Sequence, residues 1–214
     1  MSVTLADITR YRIIPVVVVN DAANAAGLGA ALVAGGLPVA EVTFRTAAAA
    51  DTIKILAERG DIIVGAGTVR NPAQVDQAVD AGATFIVSPG LRSDVVLRAQ
   101  EIGIPVLPGV ATPSEIMLAE QLGLNTVKFF PANVYGGAAG IKSLSAPFID
   151  INFIPSGGVS AANLGEFLAL PCIPAVGGSW MVPAKAVDAG DYGRVETLTR
   201  ESMDLVSALA GGNN

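Results

Sequence analysis

Short runs rich in Val and Ile alternate along this chain with Ala-rich amphipathic segments, and that alternation constrains the fold more than any other feature. Parallel strands covered on both faces read as continuous apolar runs, and the segments between them read as crossover helices. Runs at residues 13–19, 39–44, 62–65, 84–88, 105–108, 126–130, 152–155 and 173–177 are the expected strands. About eight βα units predict an α/β fold: a single-domain (β/α)8 TIM barrel over residues 1–214, with a short N-terminal helix. A chain of 214 residues, 51% hydrophobic and 15% charged, can bury such a core.

The helices carry their own punctuation. In "VRNPAQVDQAVDAGA", Asn71 caps, Pro72 suits the first helical position, and Gly82 suits a left-handed stop. In "ATPSEIMLAEQLGLN", Thr112 and Glu115 form a capping box around Pro113, and Gly123 ends the helix. The final "GGNN" is expected to be mobile. "RYRIIPVVVVNDAANAAG" has the order of a secretory leader, but Pro15 interrupts a short apolar run and Asp7 lies upstream, so a buried strand is expected.

A net charge of -6 without a basic run excludes a surface built to neutralise nucleic-acid phosphates, and no segment has the length of a membrane span. The one cysteine, Cys172, is read as a buried structural thiol, which fits a cytoplasmic location. With zero histidines, Ser-His and Cys-His nucleophile pairs and histidine-ligated zinc are excluded. Any chemistry must use carboxylates, Lys, Tyr or backbone groups.

In parallel barrels, reacting groups project from the C-terminal ends of strands. Lys54, Lys142 and Lys185 fall in helix or loop contexts and read as surface charges, whereas Lys128 sits within the strand-like "NTVKFFPA". Alternation places Lys128 and Phe130 on one face and Val127 and Phe129 on the other. If the first face points inward, desolvation favours the neutral amine, which attacks ketones to give a Schiff base. A lysine that snorkels outward or pairs with a carboxylate is the structural alternative, and the strand context leaves both open.

In "VAEVTFR", Glu41, Thr43 and Arg45 alternate onto one side, over about 13 Å if extended. Glu41 can act as a general acid/base, and Arg45 can clasp a carboxylate in bidentate fashion. A structural Glu41–Lys128 or Glu41–Arg45 pair is the competing reading. Thr68 in "GAGTV" adds a hydroxyl where glycines permit close backbone approach, although it also fits a plain turn, and Pro89 in "SPG" can wall a pocket. "PSGGVS" and "VGGSW" follow the last two expected strands, where barrel phosphate sites are frequently built. Ser156, Gly157, Gly158, Gly178 and Ser179 are the candidate phosphate binders, and Trp180 reads as core packing or a pocket wall rather than a catalytic group.

"EVTFRT", "GAGTV", "SPGL", "VKFFPA", "SGG" and "GGSW", in this order and over most of the chain, resemble the 2-keto-3-deoxy-6-phosphogluconate (KDPG) / 4-hydroxy-2-oxoglutarate (KHG) aldolases. The resemblance implies a homotrimeric barrel that cleaves a 2-keto-3-deoxy sugar acid to pyruvate and an aldehyde, without metal or cofactor. It implies Lys128 as the Schiff-base lysine, Glu41 as acid/base, and Arg45 with Thr68 as holders of the pyruvate carboxylate. Pro89 and Phe130 become pocket walls, and Gly157, Gly158 and Ser179 phosphate binders. Phe44 stands where leucine is common and should face outward, and Ser156 stands where threonine is common. The competing functions are a related aldolase such as the 6-phosphogalactonate enzyme, a phosphosugar isomerase or epimerase, and a non-catalytic ligand-binding barrel.

Overall fold

The computed structural model describes residues 3–211, and the expectation for the tail therefore lies outside the described residues from Gly212 onward. Strand segments are β1 (Ile13–Val17), β2 (Val39–Thr43), β3 (Ile63–Gly67), β4 (Ile86–Val87), β5 (Val106–Leu107), β6 (Gly109–Val110), β7 (Thr126–Phe129), β8 (Asn152–Pro155) and β9 (Val176–Gly178). Their ladders are parallel. One sheet has six strands in the order β5-β4-β3-β2-β1-β9, and the other has three in the order β6-β7-β8. The expected α/β class with parallel sheets is therefore present.

The strand expected at 105–108 is instead two short segments on either side of Pro108. Proline has no N–H to donate to a ladder, so pairing is interrupted there. β5 continues onto β4 and β6 onto β7, while the Pro108 carbonyl still accepts from Lys128 N at 2.9 Å. At the other margin, a parallel bridge between Ser156 and Gly177 ties the end of β8 to β9. The strand expected from 173 starts only at Val176, because Ile173 N is turned back onto Leu170 O at 3.0 Å.

Local sequence explains the helix ends. The helix Pro72–Asp80 begins with Asn71 Oδ1 accepting from Gln74 N at 2.9 Å, and Gly82 beyond it has φ +98°. The helix Pro113–Gln121 opens with the Thr112–Glu115 capping box, and Gly123 has φ +75°. The short N-terminal helix Leu5–Thr9 has its own box, made by Thr4 and Asp7. The stretch with the order of a secretory leader contributes β1, all five residues of which are buried.

Outward faces of the strands pack beneath the helices. Phe129 is fully buried and meets Tyr135 and Phe153 edge-on, each at 6.4 Å between centroids. Phe44 is half-buried against the same apolar core. Cys172 is half-buried rather than fully enclosed, on the loop whose carbonyl accepts from Phe153 N at 2.8 Å. Lys54, Lys142 and Lys185 are exposed, as expected. Among the described residues, no helix is long and apolar enough to cross a membrane.

Candidate active site

Lys128 lies in the middle of β7 with all four strand residues buried. Its Nζ donates to Glu41 Oε1 at 3.2 Å, and the two residues are only 6% and 3% exposed. These residues are 87 apart in sequence and meet because β2 and β7 direct them to the same interior. Of the two structural pairings considered for Glu41, the one with Lys128 forms. A buried ion pair is weak evidence for stability, since an apolar replacement is often neutral or stabilising by about 1–4 kcal/mol. Its presence inside two strands therefore calls for a chemical reason.

Space for the Glu41 carboxylate comes from β3. A Cβ on Gly67 would lie 2.3 Å from Glu41 Oε1 and 2.6 Å from its Cγ, and one on Gly65 would lie 2.5 Å from ring carbons of Phe85. Two bare positions, alternating along one face of β3, thus admit a carboxylate and an aromatic ring. The glycines of "GAG" make room for protein side chains, a reason different from the ligand approach expected of them.

Beside Lys128, the Phe130 ring centroid is 5.2 Å from Nζ. Phe130 follows β7, is half-buried, and precedes a cis peptide to Pro131. It lines a cavity of about 380 Å³ whose wall also includes Arg45, Ser156, Gly157, Gly158, Gly178 and Ser179. Gly157 and Gly158 have φ +87° and +83°, which side chains rarely adopt, and a Cβ on Gly158 would strike Asn133 at 2.4 Å. The loop therefore presents bare backbone to the cavity. The helix that follows β9, Ala184–Asp188, is only five residues long, with Ala184 on the cavity wall. Among the described residues, no three Cys, Asp or Glu side chains converge as a metal-ligand set.

The model of the family described as "KDPG and KHG aldolase" matches residues 5–198. The chain belongs to the KDPG and KHG aldolase family. It is 45% identical over 198 residues to the KHG/KDPG aldolase of Escherichia coli (strain K12), covering 92% of this chain and 93% of that one. The solved KDPG aldolase of Zymomonas mobilis ATCC 29191 superposes with a TM-score of 0.90 at 41% identity, over 95% of this chain and 98% of that one. The KDPG aldolase of Legionella pneumophila, with pyruvate captured as a covalent carbinolamine intermediate, superposes with a TM-score of 0.90 at 37% identity, over 94% and 98%.

In this member of the KDPG and KHG aldolase family, the expected site residues do not all share one cavity. Alternation along "EVTFR" holds through Thr43, where β2 ends. Arg45 N then turns back onto Thr43 O at 2.8 Å, and the exposed Arg45 side chain joins the two glycine loops. No extended run carries Glu41 to Arg45. Thr68 does not line that cavity. It follows β3 with φ +60°, an uncommon conformation for a β-branched residue that costs about 1–3 kcal/mol. Pro89 lines a neighbouring hollow of about 250 Å³, which shares Phe130 with the main cavity. Phe130 is thus a wall between the two.

Trp180 is packing, as expected: its Nε1 donates to Ser202 Oγ at 2.9 Å, and its ring occupies the space where a Cβ on Gly178 would fall. Val16, Val18, Val159, Val182 and Pro183 also line the cavity. Nothing in their residue types distinguishes them from core, and only their positions at strand and loop ends could have marked them.

Proposed function

We propose that this protein is a lysine Schiff-base aldolase that cleaves 2-dehydro-3-deoxy-6-phosphogluconate to pyruvate and D-glyceraldehyde 3-phosphate. The observation that carries the reading is the buried contact of 3.2 Å between Lys128 Nζ and Glu41 Oε1, next to a cavity walled by Phe130 and two glycine loops. Family membership and the pyruvate carbinolamine of the Legionella relative support it.

In this scheme Lys128 Nζ, relieved of its proton by Glu41, attacks the C2 ketone, and loss of water gives an iminium. Arg45 and Thr68 hold the adjacent carboxylate. Glu41, through water, takes the proton of the C4 hydroxyl; the C3–C4 bond breaks, its electrons enter the iminium, and the aldehyde departs from an enamine. Protonation at C3 and hydrolysis release pyruvate and Lys128. No metal is required, because the iminium nitrogen is the electron sink. Backbone of Gly157, Gly158 and Gly178, with Ser156 and Ser179, receives the phosphate, while Pro89 and Phe130 flank the reacting carbons. The same steps on 4-hydroxy-2-oxoglutarate give glyoxylate.

The proposal extends to architecture and setting. β5 and β6 act as one barrel strand broken at Pro108, and the two sheets close into a single eight-stranded barrel domain, which assembles as a cytoplasmic homotrimer. The test is incubation with pyruvate and borohydride, digestion and mass measurement of the peptides. A reduced adduct on the peptide containing Lys128 is expected; its absence would overturn the mechanism. Light scattering checks the trimer.

A further inference from the structure

Two hydroxyls flank Arg45, and they reach back to the end of the first strand and to the residues just beyond it. Thr43 Oγ1 donates to Val17 O at 2.9 Å, and Thr46 Oγ1 donates to Val19 O at 2.6 Å. The ladder between β1 and β2 runs through the pairs Val16–Glu41 and Val17–Val42. Beyond it, threonine side chains join the two strand ends at Thr43 and the segments that follow them at Thr46. On the other side, Phe44 N donates to Gly67 O at the end of β3, at 2.8 Å.

The backbone around Arg45 is thereby held between β1 and β3 within three residues. Its side chain is not so held: among the described residues it takes part in no salt bridge. Whatever precision the guanidinium has before a ligand arrives comes from where its Cα sits. The segment running from the end of β1 to Val19, which accepts these bonds, also sends Val16 and Val18 to the same cavity. One clasp therefore sets the separation of two cavity walls. Thr46 itself is half-buried and does not line the cavity.

We infer that Thr46 is a positioning residue for Arg45, its hydroxyl clasping the loop after β2 to Val19, just beyond β1, so that the guanidinium meets the substrate carboxylate. Thr43 makes the same clasp from inside the strand. This rests on the role proposed above for Arg45. Valine at position 46 matches threonine in shape but cannot donate, so Val19 O loses its partner and the loop loses its anchor. An interaction made equally in ground and transition states appears in KM rather than kcat, and a misplaced binding group costs up to about a hundredfold.

The experiment compares Thr46→Val, Thr46→Ala and Thr46→Ser, alone and with Arg45→Met, by steady-state cleavage of 2-dehydro-3-deoxy-6-phosphogluconate, with thermal melts to confirm folding. Expected is a rise in KM of about tenfold for Thr46→Val and Thr46→Ala, kcat within about twofold, and recovery in Thr46→Ser. With Arg45→Met present, the further change caused by Thr46→Val should fall below about twofold, which a general loosening of the fold would not produce. The inference is overturned if Arg45→Met raises KM while both Thr46 variants stay near wild type, or if their effect persists undiminished without Arg45. If Arg45→Met itself leaves KM unchanged, the carboxylate role proposed for Arg45 fails, and the positioning role with it.

Discussion

Gly67→Ala is the sharpest test of how the interior is arranged. Gly67 has no positive φ, so alanine is tolerated by the backbone and the whole effect falls on neighbours. The new methyl would lie 2.3 Å from Glu41 Oε1, 2.6 Å from Cγ and 2.8 Å from Cδ. Ordinary contact begins near 3.4 Å, so the carboxylate oxygen must retreat by about 1.1 Å. Glu41 is 3% exposed and cannot swing into solvent, so its contact with Lys128 is the one that gives way. Overpacking of this kind costs about 1–3 kcal/mol of stability, and a displacement near 1 Å in an acid/base group costs about a hundredfold in kcat. The assay is cleavage coupled to pyruvate detection, with a melt of the same preparation. Gly65→Ala is the control, because the atoms its methyl would strike first, at 2.5 Å, belong to Phe85 rather than to Glu41. It should lower the melting temperature with a much smaller loss of kcat. If Gly67→Ala keeps kcat within about twofold, the reasoning that these glycines house the carboxylate is wrong.

Replacing Lys128 by Met or Glu41 by Gln alone should each abolish turnover, and Glu41→Gln, which leaves the buried ammonium without its counter-charge, should destabilise by about 3–5 kcal/mol. The double variant should recover much of that loss in a denaturant titration; additive losses would contradict a buried ion pair. Thr52 Oγ1 is buried without a hydrogen-bond partner on the helix Ala49–Arg59, so Thr52→Val should be neutral or stabilising by about 1 kcal/mol in chemical denaturation, and a clear destabilisation would reveal a missed partner. At the N-terminus, hydrogen bonds from the Thr4 hydroxyl and amide hold the Asp7 carboxyl below its ordinary 3.8. A depressed native value means that the capping contribution is present above the unfolded value and is lost as pH falls through the native one. Amide exchange in Leu5–Thr9 should therefore accelerate below about pH 4, and an Asp7 carboxyl titrating above its ordinary value by NMR would refute this.

Much of this site is legible before folding because its signals are local. A lysine among β-branched and aromatic residues, glycine pairs after apolar runs, and the Thr112–Glu115 box each depend on a few neighbours. What failed to read through concerns where regular structure stops. Period-two alternation carried Arg45 past Thr43 as if β2 continued, whereas the chain turns once the ladder to β1 is exhausted. Pro108 interrupts a strand that composition alone reads as one. Thr68 takes a left-handed backbone just beyond β3, which its β-branched side chain gives no reason to expect.

By itself, the sequence determined the alternation of parallel strands and crossover helices, the helix ends, and the absence of imidazole chemistry, since these follow from residue type and spacing along the chain. Only the tertiary structure decided that Glu41 meets Lys128 rather than Arg45, that Gly65 and Gly67 are empty to make room for Phe85 and that carboxylate, and that threonines lash the Arg45 loop to β1. Contacts between residues 87 apart depend on strand order and register, and those arise from the simultaneous burial of every apolar face rather than from any one segment.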